Sequence, residues 1–248
     1  MKRAPISLTN FQLKCVAALF MVLDHLRAFF PALPLWFRYL GRLSAPIFFF
    51  LTVEGFFHTR DRGRYAARLL AGGVIMALGS GLLTHLFPSD IGLYNNIFFS
   101  LGLGVALMSA WHKLQETGDG QLFKPVIFLI MVAMVFTEAN IYGIMMVAVF
   151  YRFRERKDIL AASYILGALL PSLLSPLTLQ QPLVFRYSFS LQQFLLNDYQ
   201  WMMVFALPFF FLYNGELGSR SPAAKWFFYV FYPAHLWVLY LANYWLSV

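Results

Sequence analysis

Three ionisable residues, Lys14, Asp24 and His25, stand inside one apolar stretch that reads as a membrane-spanning helix. A charged or titratable side chain at that depth costs several kcal/mol even on lenient insertion scales, so each marks a functional site by default. Histidine titrates near neutral pH and can take a proton from an amine or a hydroxyl. His25 follows Lys14 by eleven positions. On a helix that is three turns plus roughly 20°, so the two share a stripe, about 16 Å apart along the axis, with Ala18 and Met21 between them. Asp24 adjoins His25 but points to a neighbouring face. It can orient His25, or each can find its partner on another helix. A histidine hydrogen-bonded only for packing is the alternative.

A second stretch, Gly41 to Arg60, carries Arg42 at one end and Glu54, His58 and Arg60 at the other. Ser44 is a plausible helix cap and Pro46 suits a first helical turn. Arg42 then lies at a depth comparable with His25. Glu54 either belongs to the site or forms a buried ion pair with an arginine such as Arg68. Arg60, Arg62 and Arg64 can grip phosphate or simply fix topology. Further polar clusters stand at Tyr94-Asn95-Asn96, Tyr213-Asn214-Gly215-Glu216 and Tyr232-Pro233-Ala234-His235. The chain has no H-x-x-x-H, C-x-x-C, Walker-type or G-x-S-x-G signature, so metal ligation and a serine nucleophile are not expected.

The elements that position these residues are set by composition. Of 248 residues, 60% are hydrophobic and 12% charged, with mean hydropathy +0.65; soluble domains carry about twice that charge. The pattern predicts an all-α polytopic membrane helix bundle, a single domain over residues 1–248. Nine spans are expected, at 11–30, 44–58, 65–87, 94–112, 122–137, 140–152, 159–177, 199–213 and 225–246. Several fall short of the ~20 residues of an upright span, which is tolerated where a segment faces protein or water rather than lipid. The pair 122–137 and 140–152 reads as a hairpin broken at Thr137-Glu138-Ala139-Asn140 or as one kinked helix. With nine spans the basic loops around Arg60–Arg64, Lys113 and Arg152–Lys157 share a side with Lys2 and Arg3. The positive-inside rule then makes that side, and the N-terminus, cytoplasmic. The net charge of +8 follows from topology rather than from nucleic-acid binding, and the first span is expected to remain uncleaved. Outside lie the 31–43 loop, the Glu138 break and the 178–198 segment, which reads as an interfacial or re-entrant piece over an outer cavity.

An ordered series of these residues resembles the TraX family, membrane proteins named for the acetylase of F-type pilin. The series runs from Lys14 through Asp24-His25, Gly41-Arg42, Pro46-Ile47-Phe48 and Glu54-Gly55-Phe56 to Thr59-Arg60, Tyr65 and Arg68. It continues with Tyr94-Asn95-Asn96, Tyr142-Gly143, Tyr213-Asn214-Gly215 and Tyr232-Pro233-Ala234-His235. That family is similar in turn to the acyltransferase-three membrane enzymes, whose basic residue and first-helix histidine have the spacing of Lys14 and His25. The resemblance implies acetyl-CoA as co-substrate, bound from the cytoplasm, and transfer of acetyl to an amine or hydroxyl of a pilin, peptide or glycan, in a bacterial cytoplasmic membrane. His25 is the expected base, with Asp24 or Glu54 supporting it and Arg42 stabilising the oxyanion. Lys14, His58, Arg60, Arg68, Asn95, Asn96, Tyr213, Asn214 and His235 are the expected donor contacts. A secondary transporter and a non-catalytic assembly partner of a pilus or secretion system are the alternatives from other classes.

Overall fold

A backbone in hydrocarbon must satisfy its own N–H and C=O groups, and the apolar runs do so as helices. The computed structural model describes residues 7–174, 199–219 and 221–247. Its helices are α1 (Asn10–Phe29), α2 (Trp36–Gly41), α3 (Ser44–His58), α4 (Arg62–Leu86), α5 (Ile97–Thr117), α6 (Gly120–Val135), α7 (Asn140–Phe153) and α8 (Lys157–Leu174). A 3-10 segment, Tyr199–Ala206, continues into α9 (Leu207–Leu212), and α10 (Pro222–Ser247) closes the bundle. Each of the nine expected spans coincides with helix over most of its described residues. Trp36–His58, Arg62–Leu86 and Ile97–Thr117 are long and apolar enough to cross a membrane, and Gly120–Val135, Asn140–Phe153 and Tyr199–Leu212 are apolar but shorter. Leu78, Leu82, Phe128, Leu129, Leu166 and Val238 are exposed. So much outward apolar surface belongs against lipid tails, and the protein is an integral membrane protein.

The start of α1 is locally determined. Thr9 and Gln12 form a capping box, and the remaining orphan donors find carbonyls on the 212–217 loop, with Asn10 N bonded to Glu216 O (2.8 Å) and Phe11 N to Leu217 O (3.2 Å). This resolves the role of Tyr213-Asn214: Leu8 and Asn214 pair by backbone, and the loop caps α1.

The region 120–153 is a hairpin, not one kinked helix. Its turn holds Asn140 at φ 41° and is pinned to α5 by Ser100, whose hydroxyl bonds Thr137 Oγ1 (2.9 Å) and accepts from Ala139 N (3.1 Å). Two local expectations change. The 31–43 loop contains α2. Ser44 is not a cap; it is the first residue of α3, and its hydroxyl donates to Ala17 O (2.8 Å), tying α3 to α1. The 178–198 segment lies outside the described residues.

Glu54, buried near the basic end of α3, is held by Arg154 at the end of α7, with Nε and Nη2 at 2.7 and 3.2 Å from its carboxylate oxygens. The anticipated Arg68 pairing is not made, and because ten residues of α3, about 15 Å of rise, separate Glu54 from Ser44, it does not support His25. Removing one partner of a buried pair leaves an uncompensated charge. Arg154→Ala is expected to cost about 2 kcal/mol, discounted for the partial exposure of Arg154, read as a lower unfolding temperature in detergent; the double variant Glu54→Met/Arg154→Met should recover most of it.

Candidate active site

α10 is fastened against α1 and α4 at the end opposite the basic loops. Asn243 Nδ2 donates to Phe29 O (2.8 Å) and Tyr240 donates to Phe87 O (2.6 Å). Two turns back along α10, this brings His235 against His25: His25 Nδ1 and His235 Nε2 are 2.8 Å apart. His235 Nδ1 lies 2.9 Å from Phe231 O. A carbonyl only accepts, so His235 carries its proton on Nδ1 and presents a lone pair at Nε2. His25 must then donate from Nδ1, which leaves the basic lone pair on its Nε2. Phe231 stacks on the His235 ring, with centroids 5.1 Å apart. The chain thus fixes one tautomer of a buried histidine that lines a cavity of about 100 Å³.

Asp24 faces the same cavity with two partners. Arg42 pairs with its Oδ2, and Arg38 Nη1 lies 3.2 Å from Oδ1. α2 reaches Asp24 only because Gly41 has no side chain: a Cβ there would sit 2.6 Å from Asp24 Cγ. The Nε of Arg42 is buried without a hydrogen-bond partner, and Arg42 lines the cavity.

Across the cavity stands Glu138. Asn95 Nδ2 and the Tyr232 hydroxyl each donate to it at 3.1 Å, the Asn96 backbone N–H adds a third bond, and Tyr232 also accepts from Ile97 N (3.1 Å). Tyr232 meets the His25 ring edge-on, with centroids 6.4 Å apart.

A second cavity of about 100 Å³ lies toward the basic end, lined by Lys14, Thr52, Tyr65, Phe228 and Tyr229. Met21, Phe48, Ile97 and Tyr232 line both cavities, so they form the partition between them. Lys14, with its ammonium 5.6 Å from the Phe228 ring centroid, also lines a third cavity of about 310 Å³ with Asn10, Ser219, Ser221 and Lys225. The Lys14–Met21–His25 stripe of α1 therefore runs from this basic cavity to the histidine pair.

The structure gathers His25, Asp24, Arg42 and His235 in one place and Lys14 at the far end of the stripe. The remaining residues are distributed otherwise. His235 is a partner of His25, not a group on the basic side. Asn95 and Asn96 precede α5 at the end opposite the basic loops, because α4 and α5 are antiparallel. His58 is exposed and turned to Glu54 O (2.8 Å), and Arg60 is exposed. The Arg68 guanidinium lies 5.9 Å from the ring centroid of Tyr65, a lining residue of the second cavity. Tyr213 and Asn214 are absent from the linings of these cavities. Sequence reasoning missed Arg38, Glu138, Tyr232 and Lys225 as site residues. Arg38 and Arg42, spaced i,i+4, were the readable signal for the first; Glu138 stood in the predicted break and Tyr232 in a polar cluster beside His235, and Lys225 carried no signal. Among the described residues, no group of three His, Cys, Asp or Glu side chains is placed to hold a metal.

Overpacking a tight contact costs about 1–3 kcal/mol. Gly41→Ala is expected to fall in that range, to push α2 from α1, and to open the Asp24–Arg38 contact, whereas Gly81→Ala, where a Cβ meets open space, should leave the unfolding temperature in detergent unchanged.

A relative from Dichelobacter nodosus, named probable fimbrial assembly protein FimC, serogroup H1, is 28% identical over 246 residues, covering 94% of this chain and 95% of its own. No solved structure matches the chain. The model of the family described as TraX protein matches residues 10–243, nearly the whole bundle from the first residue of α1 to the asparagine that ties α10 to it, and the chain belongs to the TraX family.

Proposed function

We propose that this protein is an acetyltransferase of the bacterial inner membrane that moves an acetyl group from cytoplasmic acetyl-CoA to an amine or hydroxyl. The observation that carries this reading is the His25–His235 pair, which leaves His25 Nε2 as a base in a cavity joined by the Lys14 stripe to a basic surface. Lys14, Lys225, Ser219 and Ser221 suit the phosphates of the donor, since ammonium groups and hydroxyls are ready phosphate partners. The aromatic second cavity, with Thr52 and Tyr65, suits the thin, largely uncharged arm that carries the thioester. Outward of the partition, His25 Nε2 takes the proton of the acceptor's N–H or O–H as its lone pair attacks the acetyl carbonyl. Arg42, already balanced by Asp24 and with an unused Nε, stabilises the oxyanion. When the carbon–sulfur bond breaks, the imidazolium of His25 returns the proton to the thiolate, so the base is regenerated and free thiol is the second product.

His235 acts here as a positioning residue: it holds the tautomer and takes no proton from substrate. Asp24 balances the charge of Arg38 and Arg42 and does not orient the imidazole.

A second reading, structural participation in fibre assembly without chemistry, is favoured by the name of the Dichelobacter relative. It needs neither the fixed tautomer nor thiol release.

Release of thiol from acetyl-CoA by the purified protein separates the two. His25→Ala is expected to lower the rate about 10²–10⁴-fold, the usual weight of a general base. His235→Ala should lose part of that and His235→Gln, which keeps an acceptor for His25 Nδ1, should recover it. Equal release by wild type and His25→Ala contradicts the base, and no release above background under any acceptor supports the assembly reading.

A further inference from the structure

Beyond the catalytic cavity, on the side away from the basic loops, lies the largest of these cavities, about 530 Å³. The outer half of α4, the 88–96 segment before α5 and the 136–138 turn enclose it. Three features set it apart from a packing void. Glu138 lines both this cavity and the one that holds His25, so one carboxylate forms their common wall. Asn96, which also lines it, donates through Nδ2 to Gly73 O (2.8 Å), yet its Oδ1 is buried without a partner. An orphaned buried acceptor is costly in a bundle this apolar, and a ligand donor would satisfy it. Finally, Tyr94 and Phe136, both lining residues, are 90% and 85% exposed, so two large aromatic rings stand largely uncovered at the rim.

The hydroxyls around the wall are largely spoken for. Thr84 donates to Ser80 O and Gly81 O, Thr137 donates to Met134 O, and Ser80 Oγ receives Trp237 Nε1. Among the described residues, no lysine, arginine or histidine lines the cavity. Two acceptors remain in the wall, the Asn96 amide oxygen and the Glu138 carboxylate, with the Tyr94 hydroxyl at the rim.

We propose that this outer cavity is the acceptor site, binding a substrate head group that donates hydrogen bonds, an amine or a hydroxyl, between Asn96 Oδ1 and Glu138, with the rest of the substrate resting on Tyr94 and Phe136. The proposal rests on the acetyltransferase reading for what happens next, since the head group crosses the Glu138 wall to reach His25. It also reassigns Asn95 and Asn96 from the donor side to the acceptor side: Asn95 holds the carboxylate in place and Asn96 receives the ligand.

Three small probes of one shape test it: glycinamide, glycolamide and methoxyacetamide, whose head groups are an amine, a hydroxyl and a methyl ether. Their binding to the purified full-length protein is measured by ligand-detected NMR in detergent with acetyl-CoA absent. At least one of the first two is expected to bind ten-fold or more tightly than methoxyacetamide, and their ratio identifies whether the head group is an amine or a hydroxyl. Gly81 lines the cavity and its Cβ position is open, so Gly81→Phe adds a ring at the cavity wall and should abolish the preference, as should Asn96→Leu; Gly81→Ala and His25→Ala should retain it. Equal binding of all three probes, or an undiminished preference in Gly81→Phe, overturns the proposal. If Gly81→Phe does not fold, Asn96→Leu decides by the same criterion. Because no thioester is present, a preserved binding preference without thiol release refutes the enzyme reading and leaves the site standing, and thiol release without a preference does the reverse.

Discussion

One hydrogen bond, between imidazoles 210 residues apart in sequence, orders the centre of this molecule. A buried histidine has two neutral tautomers, and which nitrogen is basic depends on what the other nitrogen touches. Here the choice propagates from a backbone carbonyl: Phe231 O fixes His235, and His235 fixes His25. The helices around the pair hold it in register. The contacts of Asn243 with Phe29 and of Tyr240 with Phe87 keep α10 seated on its neighbours, and Phe231 and Tyr232 confine the two rings.

The charged groups obey the same constraint, that nothing ionisable stays unpaired at depth without a cost of several kcal/mol. Asp24 is matched by two arginines from the short helix α2, which Gly41 allows to approach. Glu54 is matched by Arg154. Glu138 gathers neutral donors from Asn95, Tyr232 and the Asn96 backbone. Of the groups left with spare capacity, Lys14, Arg42 Nε and Asn96 Oδ1 border cavities, whereas Arg27 Nε and Arg68 Nε, also buried without a partner, line none of these four. Lys14, Arg42 and Asn96 border successive cavities from the basic end to the opposite face, divided by the Met21–Tyr232 partition and the Glu138 wall.

The helices were legible in the sequence because lipid leaves a backbone no other option, so the boundaries of apolar runs are nearly the boundaries of helices. The basic loops favoured the hairpin at 137–140, by the sign of the topology they require, but left one kinked helix open. Lys14 and His25 were legible for the same reason, being on one helix with a spacing that geometry converts into a shared stripe. The partners were not. Glu54 and Arg154 are 100 residues apart, and Glu138 and Tyr232 are 94; pairing at that range is decided by how helices pack, which periodicity within one helix does not encode. His235 was visible in the last span as either a partner for a buried polar group or part of the site; that its partner is His25 depends on where α10 is fastened, which the sequence does not encode. Asn95 and Asn96 came from the resemblance as expected donor contacts, and the chain direction of α5 places them at the end opposite the basic loops.

The claim on which the rest turns is that His235 holds His25 with its proton on Nδ1 and its lone pair on Nε2. Nitrogen-15 NMR of histidine-labelled protein in detergent reads this directly, ring nitrogen by ring nitrogen. The account predicts a protonated Nδ1 and an unprotonated Nε2 at His25, lost to a mixture of tautomers in His235→Ala. A His25 protonated on Nε2, or one whose signals ignore the loss of His235, would contradict it.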